Sequence, residues 1–171
     1  ARALERTEAM FWWFCDDYVE LVKGRVYNSQ GLDASGSAIS ALRLALSALQ
    51  RLLAPFMPFT TETVWRWWKD GSVSTATWPT AAELGPIGDS TILDPIGEIL
   101  SQVRRAKTDA KTSQKTAVTE ATVSATEAVL TAFELGRGDL SDAGSVRSWV
   151  TKPSAGETTV SAVLAPPEPA S

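Results

Sequence analysis

The 171-residue sequence contains no histidine. That absence removes the Ser-His and Cys-His nucleophilic designs and most zinc sites. Cysteine occurs once, at Cys15, so no intrachain disulfide can form and a reducing compartment fits. Cys15 lies between Phe14 and Asp16 on a helical pattern and reads as a packed thiol, not a nucleophile. No glycine-rich phosphate loop is present: Gly31 and Gly36, and Gly136 and Gly138, read as turn glycines. No apolar run is long enough to span a bilayer, and no signal peptide is visible. Asp16 and Asp17 are adjacent on a helix and point apart, so they make no acid/base dyad. Together these gaps disfavour a free-standing enzyme.

What remains is an ordinary globular composition, 44% apolar, enough for one domain or one domain with a small appendage. The net charge is −4, a poor first sign for a nucleic-acid binder. Its distribution matters more than its sum. Residues 1 to 115 carry 13 basic and 13 acidic side chains, and residues 116 to 171 carry three and seven. The whole excess sits in the last third.

Periodicity predicts a helix over residues 2 to 23, with Leu4, Phe11, Phe14, Tyr18 and Leu21 on one stripe. A loop over Gly24 to Gly36 follows, then a second helix from Ser35 or Ser37 to Leu53. Its seam is Ile39, Leu42, Leu46, Leu49 and Leu53. Pro55 and Pro58 break it. Thr60 or Thr61 can cap a third helix to Lys69, and Phe56, Met57 and Phe59 are apolar enough to be buried in the corner. Residues 70 to 93 read as irregular, with Ser72 to Pro79 extended and Trp78 as a buried pin. Trp13, Trp65 and Trp68 also read as core, with Trp12 and Trp67 ambiguous. Asp94 and Pro95 can open a fourth helix with Ile96, Ile99, Leu100, Val103 and Ala110 inside. Arg104, Lys107 and Lys111 align along another of its faces. The pattern then changes to a strand over 117 to 124, a helix over 125 to 135 with a further turn at Leu140, and strands over 146 to 151 and 158 to 164. The expected fold is mainly α: an antiparallel helical bundle (1 to 112), a small β-α-β-β subdomain (113 to 165) and a disordered proline-rich tail (166 to 171).

Three segments carry a family resemblance. They are Phe11 to Tyr27 (FWWFCDDYVELVKGRVY), the elbow from Leu53 to Trp65, and Trp78-Pro79 followed by a helix ending in an Arg/Lys-rich stretch and Ser113-Gln114-Lys115. In order and spacing the chain resembles the C-terminal part of bacterial valyl-tRNA synthetases over roughly residues 3 to 165. The elbow alone is shared with isoleucyl and leucyl enzymes. Ser74 departs from the His or large residue the family often has there. The resemblance implies an anticodon-binding domain that holds the anticodon stem-loop of tRNA for a catalytic body, in the cytoplasm. The His-Ile-Gly-His signature, the editing domain and the use of ATP and magnesium belong to that body. A preceding helix and a C-terminal coiled coil, both common in the family, are expected to be missing.

An anticodon binder needs cations for phosphates and planar groups for unpaired bases. Lys23, Arg25 and Tyr27 make one candidate cluster. Arg104, Arg105, Lys107, Lys111 and Lys115 make the second, five cations in twelve residues opposed only by Asp109. Arg66 and Lys69 are lesser candidates. The bland alternatives are dipole-favoured helix ends and a solvated helix face. The rival function is a helical protein-interaction or scaffold module, to which the negative charge points.

Overall fold

In the computed structural model, which describes residues 2–85 and 88–166, the fold is mainly α with a three-stranded sheet near its C-terminal end. The first helical rod is α1 (Arg2–Trp13), a π-helical turn over Phe14–Tyr18, and α2 (Val19–Val26). It overruns the expected end because Gly24 serves packing, not a turn: a Cβ there would lie 2.5 Å from Asp142 Cβ. The break comes instead at Gly31, whose φ of 95° suits glycine. Helix α3 (Leu32–Leu53) therefore starts earlier than expected and contains Gly36. Helix α4 (Pro58–Trp65) has Pro58 in its first turn, where the missing N–H costs nothing, so Thr60 and Thr61 lie inside it and are not caps.

The greasy elbow is not buried. Phe56, Met57 and Phe59 are exposed, Phe59 by 88%. Phe56 and Met57 line an open apolar groove of about 760 Å³ between α1, α3 and α4, together with Phe11, Trp12, Leu46 and Leu53. Of the two expected seams only Leu21 and Leu49 are buried, and α1 buries nothing.

Trp78 does not pin the irregular stretch; it is 58% exposed. The pin is Arg51, 7% exposed, which donates to Thr77 O (3.0 Å) and to both Glu83 oxygens (3.2 and 2.6 Å). Glu62 holds the neighbouring turn by accepting from Ser72 Oγ (2.8 Å) and Val73 N (3.0 Å). Those bonds curl Val73–Thr75 into a 3₁₀ turn where an extended run was expected. Further on, Asp89 rather than Asp94 caps: it accepts from Thr91 N, opening the 3₁₀ turn that leads into α5 (Leu93–Asp109).

Strand β1 (Val118–Ala125), helix α6 (Glu127–Gly144), β2 (Trp149–Pro153) and β3 (Thr159–Leu164) complete the described chain; the expected tail beyond Pro166 lies outside the described residues. Helix α6 runs unbroken through Gly136 and Gly138, which are small to admit neighbours: a Cβ at 136 would lie 3.0 Å from Ile96 Cγ1 and one at 138 2.6 Å from Gln30 Oε1. The sheet order is β2-β1-β3, with β2 parallel and β3 antiparallel to β1. The parallel pair needs a crossover, which α6 supplies. A register shift between Val118 and Glu120 resets the alternation, so Val118 faces the same side as Ala121, Val123 and Ala125.

The core sits where α2, α5, α6 and the sheet meet. Leu21, Ile96, Ile99, Leu100, Val123, Phe133 and Leu140 form one cluster, and Val103, Val118, Ala121 and Val146 form the next. Packing thus runs straight across residue 112, and α5 is shared between bundle and sheet. Lys107 is fully buried, 1% exposed, and is not the solvent-facing cation its spacing implies. Its Nζ donates to Gln114 O (2.8 Å) and Gly144 O (2.7 Å). Burial first, and the Arg104 cation second, lower its pKa from the ordinary lysine value. Ala110, expected inside, is exposed beyond the helix end.

Lys107→Met leaves two carbonyls without their donor and is expected to cost about 1–3 kcal/mol in denaturant unfolding. The native lysine loses its proton before the unfolded one, so stability should rise with pH below the ordinary lysine pKa, a rise absent in the variant. Arg51→Met should speed chymotryptic cleavage near Trp78 while the sheet core stays protected. Arg51 and the Thr80 amide hold Glu83 below the usual carboxylate range. That contribution is complete above the ordinary Glu pKa and is lost as pH falls through the depressed one, so acid should open the same stretch of the unsubstituted chain to pepsin, which works at that pH.

Candidate nucleic-acid interface

The two candidate clusters converge on one end of the molecule, on either side of the C-terminal turns of α6. On one side Gly24 of α2 abuts Asp142. On the other, Lys107 of α5 holds Gly144, two residues further along.

The first cluster is largely committed to structure. Arg25 Nε lies 2.8 Å from Asp139 Oδ1. Gln30 donates to Asp139 Oδ1 (3.1 Å) and Asp142 Oδ2 (3.0 Å), and Ser29 Oγ donates to Asp142 Oδ2 (2.6 Å). These bonds staple the loop over residues 27–31 to α6. Burial raises the pKa of Asp139, with Arg25 and Gln30 opposing it. Lys23 is exposed and pairs with Glu20 at 3.1 Å. Tyr27, 77% exposed, stands clear as a planar group beside this staple. Of the three, Tyr27 and Lys23 can meet a ligand without dismantling the fold.

The second cluster divides differently. Lys107 is consumed inside. Arg105 is exposed and only 3.9 Å from Asp109, a loose surface pair. Arg104, half-buried, and Lys111 and Lys115, both exposed, have no carboxylate in ion-pair range among the described residues. Lys111 sits at φ 55° in the turn after α5, and that turn is fastened by Thr112 N to Lys107 O and by Gln114 Nε2 to Arg104 O. Gln114 O in turn receives the buried ammonium. Lys107 therefore positions the loop that presents its exposed neighbours.

Arg147 joins this group and escaped the reading of the sequence. Its backbone N–H donates to Val118 O at 2.9 Å, beside the loop that carries Lys115. It is exposed and has no ion-pair partner among the described residues. Nothing local marks it, because only the parallel bridge between Val118 and Val146 brings it there. The resulting surface has free cations from three segments and one exposed aromatic. Of the acids beside it, Asp139 and Asp142 are occupied by Arg25, Gln30 and Ser29, Glu20 pairs with Lys23, and Asp109 lies near Arg105. Such a surface can take phosphates and one splayed base.

The family model described as the anticodon-binding domain of tRNA ligase matches residues 1–123. The valine--tRNA ligase of Cutibacterium acnes is 45% identical over 148 residues, covering 85% of this chain and 17% of that protein. The valine--tRNA ligase of Thermobifida fusca is 47% identical over 152 residues, 87% of this chain and 17% of that protein. That of Leifsonia xyli subsp. xyli is 47% identical over 148 residues, with 85% and 17% covered. The chain thus spans about a sixth of the length of these relatives. With the family model covering most of its length and the bundle's elbow and core in place, the chain belongs to the anticodon-binding domain family of tRNA ligases.

Proposed function

We propose that the chain holds the anticodon stem-loop of a valine-accepting tRNA on behalf of a valine–tRNA ligase. The observation that carries this reading is the similarity to three valine--tRNA ligases over 85–87% of the chain. The free cations Arg104, Lys111, Lys115 and Arg147 supply the phosphate contacts, and Tyr27 a platform for one base. Affinity is electrostatic, and specificity comes from base contacts and loop shape. Among the described residues no three His, Cys, Asp or Glu side chains group to hold a metal ion. In this reading ATP and magnesium are handled by the catalytic body of the ligase. No helix among the described residues is long and apolar enough to cross a membrane.

The apolar groove favours a second reading, a protein-interaction module, because its lining exposes Trp12, Phe56 and Met57 and its one charged residue is Glu8.

The two readings part in a titration with a valine anticodon stem-loop and a one-base anticodon variant at two salt concentrations. The tRNA reading expects preference for the cognate loop and weakening with salt. Lys115→Ala and Arg147→Ala should each weaken both loops alike and lower the salt slope by about one. Equal, salt-insensitive or absent binding favours the interaction module.

A further inference from the structure

A second cationic groove lies away from the α6 end. It is open, about 560 Å³, and is lined by Arg43, Leu44 and Ser47 of α3, by Trp68 and Lys69 after α4, and by Glu83. That volume is within the roughly 300–1,000 Å³ of sites that take small ligands.

Its walls are fixed. Trp68 is held at its edge by Nε1–H donation to Gln50 Oε1 (3.0 Å) and packs against Trp65 with centroids 5.8 Å apart. Lys69 Nζ stands 5.0 Å from the centre of the Trp68 ring. Glu83 is the groove's only acid, and it is spent. Both its oxygens accept from the buried Arg51, and Oε1 also accepts from Thr80 N (3.2 Å). Arg43 and Lys69 have no ion-pair partner among the described residues, and the neighbouring Asp70 does not line the groove. The groove therefore offers two unpaired cations beside a rigid indole. The larger apolar groove between α1, α3 and α4 has no free cation in its lining, so it does not suit the same ligand.

We propose that this groove binds an unpaired segment of RNA, with a base against Trp68 and flanking phosphates on Arg43 and Lys69. The proposal rests on the tRNA reading above and adds a contact distinct from the α6 end. A base displaces the Lys69 ammonium from the ring, and the ammonium moves to the phosphate. Stacking on an indole tolerates any base, so this contact adds affinity without choosing sequence.

The test uses the full chain and the valine anticodon stem-loop, comparing Arg43→Ala/Lys69→Ala, Trp68→Phe and Lys111→Ala/Lys115→Ala. Arg43 and Lys69 are exposed, so the first double variant should keep the parent's circular dichroism. It should bind about tenfold more weakly, with a salt slope shallower by about 1.4, two single-strand phosphate contacts. Trp68→Phe should lose part of the tryptophan quenching seen on binding, and the charge variant decides if that protein does not fold. If Arg43→Ala/Lys69→Ala binds like the parent while Lys111→Ala/Lys115→Ala is weakened, the groove proposal is overturned and the tRNA reading stands. Absence of binding by the unsubstituted chain overturns both.

Discussion

A buried ammonium organises the functional end of this molecule. Lys107 leaves α5, crosses its C-terminal turn and gives two hydrogen bonds, one to the last carbonyl of α6 and one to the loop at Gln114. A cation is favoured at a helix C-terminus, and a carbonyl buried without a donor is costly, so the two needs are met by one side chain. Remove it and α5, α6 and the basic loop lose their common anchor. The exposed cations Lys111 and Lys115 can then be held in place by a residue that itself never meets solvent.

From that anchor the molecule is two-sided. Toward the sheet, α2, α5 and α6 close over β1 with aliphatic and aromatic packing around Phe133 and Ile99. Away from it, α1 and α4 flank an apolar groove and contribute little to the core. The net charge of −4 likewise misleads when taken as a sum. Asp139, Asp142 and Glu83 are engaged by Arg25, Gln30, Ser29 and Arg51, and several cations stay free at the surface. Electrostatic binding depends on what is left unpaired locally.

Much of this was legible in the chain. The helical elements, the change to β pattern near residue 117, and the inward row Ile96, Ile99, Leu100 and Val103 follow from periodicity. The failures have physical causes. Lys107 occupies an apolar position, and periodicity over polar residues alone cannot tell a wet face from a buried ammonium with two acceptors. Gly24, Gly136 and Gly138 look like turn residues, but they are small because another element passes close by. Trp78 and the elbow aromatics are apolar yet exposed, since hydrophobicity does not reveal whether a partner surface covers them. Arg147 and the Arg51–Glu83 tie depend on contacts far apart in sequence, which no local pattern encodes.

Stability resides in the α2–α5–α6–sheet core, and the basic loop after α5 is mounted on it. Native-state hydrogen exchange of the unsubstituted chain tests this most directly. Amides of α5, β1 and the middle of α6 should exchange only through the highest-energy openings. Those of α1 should open far more easily, and the amides of Thr112 and Val118 should follow the core. Protection of α1 equal to that of α5, or a Thr112 amide that exchanges as freely as α1, would contradict it.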